Sequence, residues 1–186
     1  LHGMAAMRMK ELGPIKKALE IEVRIIAKLE LLSYFEDADQ ISRVVAGAFV
    51  LSWLFRSRKS DWTFKRALWI YEAKRLFYVN VAKTKKSGGD RAELFLVARV
   101  EGIMDRDFPI RYSQFRSEIL IPLELWPLYP AMKDSSWIDA EACTADVNTG
   151  IGYVFKAIGE DPSGITGDSP RASALTSMSR HGFTIE

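Results

Sequence analysis

The spacing of the apolar residues changes at about Arg75, and this change limits the possible folds more than any other feature of the sequence. Up to that point apolar residues recur at intervals of three and four, which is typical of amphipathic helices. Beyond it Phe77, Val79 and Val81 alternate with Tyr78 and Asn80, which is typical of a strand. The sequence therefore predicts an α+β fold in which N-terminal helices precede a β-hairpin.

Three helices are predicted before that change in spacing. The first covers residues 13–34 and opens on a Gly-Pro pair, because proline suits the first helical turn. The second covers about residues 40–57, since acidic residues at its start and basic residues at its end both suit the helix dipole. The third covers about residues 62–75, with Asp61 as its N-terminal cap or as a first-turn anion.

A β-hairpin is predicted after these helices. Its strands cover residues 77–81 and 92–100, and a turn rich in lysine and glycine at 85–90 joins them. Residues 103–130 contain four prolines, which break any long element. This stretch leaves room for one short helix or strand, at residues 112–119.

The last part of the chain begins with an alternating strand at 137–143 and a short helix at 151–158. Glycine, serine, proline and threonine dominate residues 161–186, which are predicted to form a loose tail. Residues 1–12 are interpreted as a leader or as the edge of the reading frame. The predicted organisation is therefore a single α+β domain over residues 13–160, flanked by these two segments.

Composition excludes several classes of protein. With 48% hydrophobic and 27% charged residues, the chain is typical of a globular domain and not of a disordered one. The single cysteine, Cys143, excludes an internal disulfide and any multi-cysteine zinc site, and it suits a reducing compartment such as the cytoplasm. The longest apolar run, Val44–Phe55, is too short to span a membrane and is predicted to be a buried helix.

Positive charge is concentrated in residues 56–91, which hold eleven cations against three carboxylates, a balance of +8 in a chain of net charge +2. The segment therefore favours an acidic partner, either nucleic acid or an acidic protein. Aromatic residues are interleaved with these cations, as in surfaces that bind single-stranded nucleic acid. Helical and strand spacing also places most of them in a core. The aromatic residues concerned are Trp53, Trp62, Phe64, Trp69, Tyr71, Phe77 and Tyr78.

Known catalytic motifs are absent: the sequence has no glycine-rich phosphate loop, no nucleophile elbow and no paired-histidine metal motif. No metal site and no bound cofactor are predicted. Cys143 is predicted to be a small buried hydrophobic residue of the 137–143 strand. Asp139 lies in the same apolar strand, so its carboxylate either points to solvent or is held in a polar site.

Two short patterns resemble the RTX toxin-activating lysine acyltransferases, the haemolysin-activating family. Gly47, Trp53, Leu54 and Ser57 match a helix pattern of that family, and Trp137-Ile138-Asp139 matches its strand with a catalytic aspartate. The resemblance covers about residues 44–158. It implies a GNAT-like fold, that is, a mixed sheet with N-terminal helices and a central β-hairpin. Asp61 stands where the family has its catalytic histidine.

The resemblance implies transfer of a fatty acyl group from an acyl carrier protein thioester to a lysine of a protein, with Asp139, Asp61 and Ser57 as catalytic residues. To serve as a base Asp61 would need desolvation or a neighbouring anion. The cations expected to dock the acidic carrier protein are Arg56, Arg58, Lys59, Lys65 and Arg66. A degenerate acyltransferase is one variant of this hypothesis. The alternative, from the charge alone, is a non-catalytic module whose basic face binds nucleic acid or an acidic protein.

Overall fold

A computed structural model of the chain describes residues 20–62, 65–81 and 94–180. In these ranges the chain forms six α-helices and five strands. The helices are α1 (Val23–Tyr34), α2 (Gln40–Leu54), α3 (Lys59–Trp62), α4 (Phe108–Glu118), α5 (Thr144–Ala157) and α6 (Ser169–Arg180). The strands are β1 (Lys65–Tyr71), β2 (Leu76–Val81), β3 (Leu94–Arg99), β4 (Pro130–Lys133) and β5 (Ser136–Glu141). The predicted α+β class is confirmed.

Helix α2 forms the centre of the structure. It is apolar nearly all round, and Val44, Phe49 and Leu51 are at most 1% exposed, as expected of a helix surrounded by other elements. It contacts α1, α4, α5 and α6. Asp39 caps its start by accepting a hydrogen bond from the backbone N–H of Ser42 at 2.9 Å. The acidic residues before this helix predicted such a cap.

Gly47 explains how α4 approaches α2. A Cβ atom at this position would overlap the ring of Tyr112, whose hydroxyl donates to the carbonyl of Val44 at 2.7 Å. Glycine is required there because the ring lies directly against the α2 backbone. The match of Gly47 to an acyltransferase pattern therefore has a packing explanation.

The first three strands form an antiparallel sheet in the order β1-β2-β3. Phe77, Val79 and Val81 of β2 are buried, so the predicted alternation of this strand is confirmed. Phe55, at the end of α2, contacts both Trp62 and Phe77, with ring centroids 5.2 and 5.3 Å away, and so joins the sheet to the helices. The predicted turn at residues 85–90 lies outside the described residues.

The predicted third helix, over residues 62–75, is wrong. The chain instead forms the four-residue α3, strand β1 and a 3₁₀ turn at Glu72–Lys74. The prediction was wrong because the spacing of the apolar residues in this segment fits a helix as well as a strand. Trp69-Ile70-Tyr71 are residues that favour strands, and they pair with β2. Leu68 and Ile70 pack against the core, and Trp69 and Tyr71 face outward.

Residues 101–143 are organised around α4 and a buried arginine. Arg116 is 0% exposed, and its guanidinium donates to the carbonyls of Ile121, Pro127 and Leu128 at 2.9, 2.9 and 3.0 Å. These bonds fix the loop that the four prolines made unpredictable, and the permitted short element at 112–119 is the helix α4. The loop leads into the antiparallel pair β4-β5.

Three further predictions differ from the structure. Cys143 is exposed and caps α5, its Sγ accepting from the N–H of Asp146 at 3.4 Å, because the strand ends two residues earlier. Residues 161–186, predicted as a loose tail, include α6, whose Ser173 and Ala174 are buried. The GNAT-like label is not confirmed, because the strands form two separate antiparallel sheets and not one mixed sheet. Residues 1–12 lie outside the described ranges.

No helix in the described residues is both long enough and apolar enough to cross a membrane.

Candidate functional site

A buried carboxylate, Asp61, joins two distant parts of the chain. Asp61 lies in α3 and is 4% exposed, and its Oδ2 accepts a hydrogen bond from the backbone N–H of Arg58 at 2.8 Å. Arg58 directly precedes α3, and Asp61 is the third residue of that helix. The bond is therefore one half of a capping box, which satisfies an N–H group that the helix itself leaves free.

Arg171, in the first turn of α6, is the second group at this carboxylate. Its Nη1 lies 3.7 Å from the same Oδ2 of Asp61, and its side chain is 38% exposed. A cation in the first turn adds to the positive end of the helix dipole, which disfavours it. Asp61 offsets part of this cost, and the remainder of the guanidinium is exposed to solvent.

Two more arginines precede Asp61 in the chain. Arg58 is half-buried, and within the described ranges no side chain pairs with its guanidinium. Arg56 is exposed and has a positive φ of 51°. Arg56 lines a surface cavity beside the middle of α6. The turn before α6 adds one exposed carboxylate, Asp168, so two arginines and two aspartates lie around the start of α6 and α3. We refer to Arg58, Asp61 and Arg171 as the Asp61 cluster.

Lys59 and Ser57, both predicted to be functional, instead make contacts within the protein that hold the segment around α3 in place. Lys59 Nζ donates to the carbonyl of Ala142 at 2.6 Å and lies 3.6 Å from Glu141, which ties α3 to the end of β5. The hydroxyl of Ser57 is buried, donates to the carbonyl of Ser52 at 3.3 Å and accepts from the indole N–H of Trp62 at 2.7 Å. These contacts account for both side chains structurally.

The structure does not place the expected residues in one polar site. Asp139 lies on β5 and is exposed, whereas Asp61 is buried at α3, so of the two interpretations of Asp139 the solvent-facing one is correct. Lys65 and Arg66 begin strand β1, directly after the cluster in sequence. Within the described part of the chain no group of His, Cys, Asp and Glu residues could hold a metal ion.

The chemistry of the Asp61 cluster is that of anion binding. Guanidinium groups present several N–H donors in a planar fork, which matches the oxygen atoms of a phosphate. The N-terminus of α6 adds positive potential at the same place. Guanidinium groups around a phosphodiester also stabilise the charge that develops when its phosphorus is attacked. The cluster is therefore suited to a phosphate and offers nothing specific for a thioester.

Three solved structures of recombinase complexes are similar to this chain. The XerH site-specific recombinase bound to its difH substrate, in a pre-cleavage complex, matches with a TM-score of 0.57 at 12% identity, over 87% of this chain and 43% of that chain. A post-cleavage complex of XerH with a palindromic difH substrate matches with a TM-score of 0.57 at 11% identity, over 88% and 43% of the two chains. The FLP recombinase in a Holliday junction complex matches with a TM-score of 0.53 at 12% identity, over 96% and 47%.

The chain thus spans less than half the length of these recombinases, and at this level of identity the likeness establishes the fold. No protein-family model matches the chain, and no curated protein matches it. The resemblance to RTX acyltransferases is therefore wrong, as are the acyl transfer activity and the role in toxin activation that it implied. Its short patterns lie in segments that pack for other reasons, as Gly47 and Ser57 show.

Sequence reasoning missed Arg171. The glycine and serine content of residues 161–186 obscured α6, although Ser169-Pro170 is a typical helix start. With that signal taken into account, the helix could have been predicted. Its contact with Asp61 could not, because no sequence pattern joins positions so far apart.

Proposed function

We propose that this chain is a DNA-binding domain with a recombinase-like fold, and that Arg58 and Arg171 of the Asp61 cluster contact backbone phosphates. The observation that carries the proposal is that the backbone N–H of Arg58 and the guanidinium of Arg171 both lie at the Oδ2 atom of Asp61, which brings these two residues close together. The XerH and FLP structures similar to this chain are complexes with a recombination substrate and with a Holliday junction, which supports the same choice of ligand. The basic segment 56–91 predicts either nucleic acid or an acidic protein as the partner, and of these two we therefore prefer nucleic acid.

The hydrogen-bonding state of both arginines suits contacts with phosphates. Phosphate contacts need N–H donors with spare hydrogen-bonding capacity, and both arginines retain it. The Arg171 side chain is 38% exposed. The Arg58 guanidinium pairs with no side chain in the part of the protein that the structure describes. The segment that begins at Arg56 continues into Lys65 and Arg66 on β1, so positive charge extends beyond the cluster. The proposal also keeps the cytoplasm as the location, in agreement with the single cysteine.

The experiment is a titration of dye-labelled duplex DNA with the protein, followed by fluorescence anisotropy at several salt concentrations. We expect log K to fall linearly with log salt concentration, by several orders of magnitude between about 50 and 200 mM if six or more phosphates are contacted. Arg58→Ala and Arg171→Ala should each weaken binding by roughly tenfold, as loss of a charged hydrogen bond does. Each should also reduce the salt slope by about 0.9.

Arg180→Ala is the matched control, because Arg180 lies at the other end of α6 and is paired with Glu20 at 2.7 Å. It removes the same charge from the same helix at a distance of about 13 Å. Equal losses from Arg171→Ala and Arg180→Ala would mean that net charge alone holds the DNA, and the assignment of the cluster would fail. No binding to duplex DNA at low salt would reject the proposed function.

A further inference from the structure

The outward face of the three-stranded sheet carries an exposed group of aromatic side chains. Pairing across the strands places Trp69 beside Tyr78 and Tyr78 beside Val97 in one row. The neighbouring rows are Tyr71-Leu76-Arg99 and Ala67-Asn80-Phe95. We call Trp69, Tyr71, Tyr78 and Phe95 the aromatic sheet face.

These rings contact one another but are not covered by the described chain. The rings of Trp69 and Tyr78 are parallel within 8° at 5.7 Å, and Phe95 meets Trp69 edge-on at the same centroid distance. Even so, Trp69, Tyr71 and Phe95 remain 42%, 46% and 44% exposed. The opposite face of the sheet already supplies the core, through Phe77, Val79 and Val81 of β2. Folding therefore does not account for a second apolar face, and an exposed patch of this kind marks a binding surface.

The charges around this face select the kind of partner. Lys74 Nζ lies 5.7 Å from the ring centroid of Tyr71, and the Arg99 side chain is 79% exposed. Among the described side chains of the face none is a carboxylate; the nearby Glu101, beyond the end of β3, lies 3.9 Å from Arg99 and 3.7 Å from Arg75. Flat apolar rings beside cations suit unpaired bases joined by phosphates. Two copies of the face would instead bring like charges together, which disfavours self-association.

We propose that the aromatic sheet face binds single-stranded DNA, with unpaired bases stacked on Trp69 and Phe95 and the adjoining phosphates near Lys74 and Arg99. The inference rests on the proposed function, since it assumes that the chain binds DNA, and it adds a second contact surface of different chemistry. The Asp61 cluster takes phosphates of either strand type, whereas the aromatic sheet face requires bases that are not stacked in a duplex.

The test compares a dye-labelled oligothymidylate with a duplex of the same length. Trp69→Thr and Phe95→Thr remove a ring while keeping a residue that favours strands. We expect each to weaken binding of the single strand by about tenfold and to leave duplex binding within twofold, since base stacking is lost in one case only. Tyr153→Thr is the control, because Tyr153 on α5 is an aromatic residue that is more exposed still, at 59%. Its oligothymidylate affinity should not change.

Thermal unfolding of each variant shows whether the sheet is intact, and Tyr71→Thr, at the outer end of β1, serves if Trp69→Thr does not fold. Duplex binding without oligothymidylate binding overturns this inference and leaves the proposed function standing, whereas failure of both ligands rejects both. Equal affinity of Trp69→Thr and the parent for the oligomer also overturns it. So does a dimer in sedimentation analysis that Trp69→Thr dissociates, because the face would then be an interface between proteins.

Discussion

Two arginines in this fold, Arg116 and Arg171, differ in how their N–H donors are used. Arg116 is fully buried, and three backbone carbonyls accept from its guanidinium within 3.0 Å. Arg171 touches one carboxylate at 3.7 Å and keeps 38% of its side chain in solvent. In the first arrangement burial and hydrogen bonds at all three nitrogens keep the guanidinium from a ligand. In the second most of the N–H donors stay accessible. Spare donors, and not charge as such, separate an arginine that could contact a phosphate, as the proposed function requires, from one that holds a loop.

The largest effect should come from Arg116→Met, which keeps the length of the side chain and removes every donor. Three carbonyls lose their partner, two of them buried and that of Pro127 half-buried, so we expect the free energy of unfolding to fall by about 3 kcal/mol or more. Chemical denaturation measures this value. The duplex affinity of the folded fraction should be unchanged, because the residue has no part in the Asp61 cluster. If Arg116→Met is as stable as the parent, the carbonyls find other hydrogen-bond donors, and Arg116 is less important for the loop than its buried hydrogen bonds indicate.

Glu30 extends the comparison to carboxylates, since it is as enclosed as Arg116. It is 0% exposed and accepts from the backbone N–H groups of Ile103, Met104 and Asp105 at 2.6, 3.0 and 2.6 Å. Burial raises the pKa of Glu30, and the three N–H donors oppose this shift only in part. Glu30→Gln replaces one acceptor by a donor that faces N–H groups, so we expect a loss of about 1–2 kcal/mol of stability.

The pH dependence of Glu30 has a definite sign. Because the folded-state pKa lies above the ordinary value of 4.5, the folded protein binds this proton more tightly than the unfolded chain does. The contribution of Glu30 to stability is therefore complete below that ordinary value and is lost as the pH rises through the raised pKa. The stability difference between the parent and Glu30→Gln should narrow over that range in denaturation experiments. A difference that widens with rising pH would contradict the direction of the shift.

Asp61 lies between these cases, because its single Oδ2 serves both a backbone N–H and a guanidinium. Asp61→Asn keeps an acceptor for the N–H of Arg58, whereas Asp61→Ala removes it, so the alanine variant should be the less stable by about 1 kcal/mol. Thermal unfolding of the two variants measures the difference. Duplex affinity of Asp61→Asn should equal or exceed that of the parent, since a negative charge is removed beside the arginines. A large loss of affinity in a folded Asp61→Asn would show that Asp61 holds Arg171 in its binding geometry.

The sequence revealed those parts of the fold that depend on local pattern. Strand β2 was predictable because Phe77, Val79 and Val81 alternate, and the start of α2 because Asp39 is a typical cap. Strand β1 was not, since the apolar residues around it fit two periods equally well and its pairing with β2 decides the outcome. Arg58 and Asp61 were identified as candidates from charge and capping. Their connection to Arg171 depends on tertiary packing, which brings α6 to α3.

The smallest effect on stability should come from Arg171→Ala, and this prediction tests the comparison most directly. Its ion pair with Asp61 is long and partly exposed, so we expect the free energy of unfolding to change by less than about 1 kcal/mol. Removing a cation from the first turn of α6 also relieves an unfavourable interaction with the helix dipole, which offsets part of that loss. Chemical denaturation beside the duplex titration gives both quantities for one variant. Strong destabilisation together with unchanged DNA affinity would show that Arg171, like Arg116, has a structural role only. The distinction based on spare N–H donors would then fail.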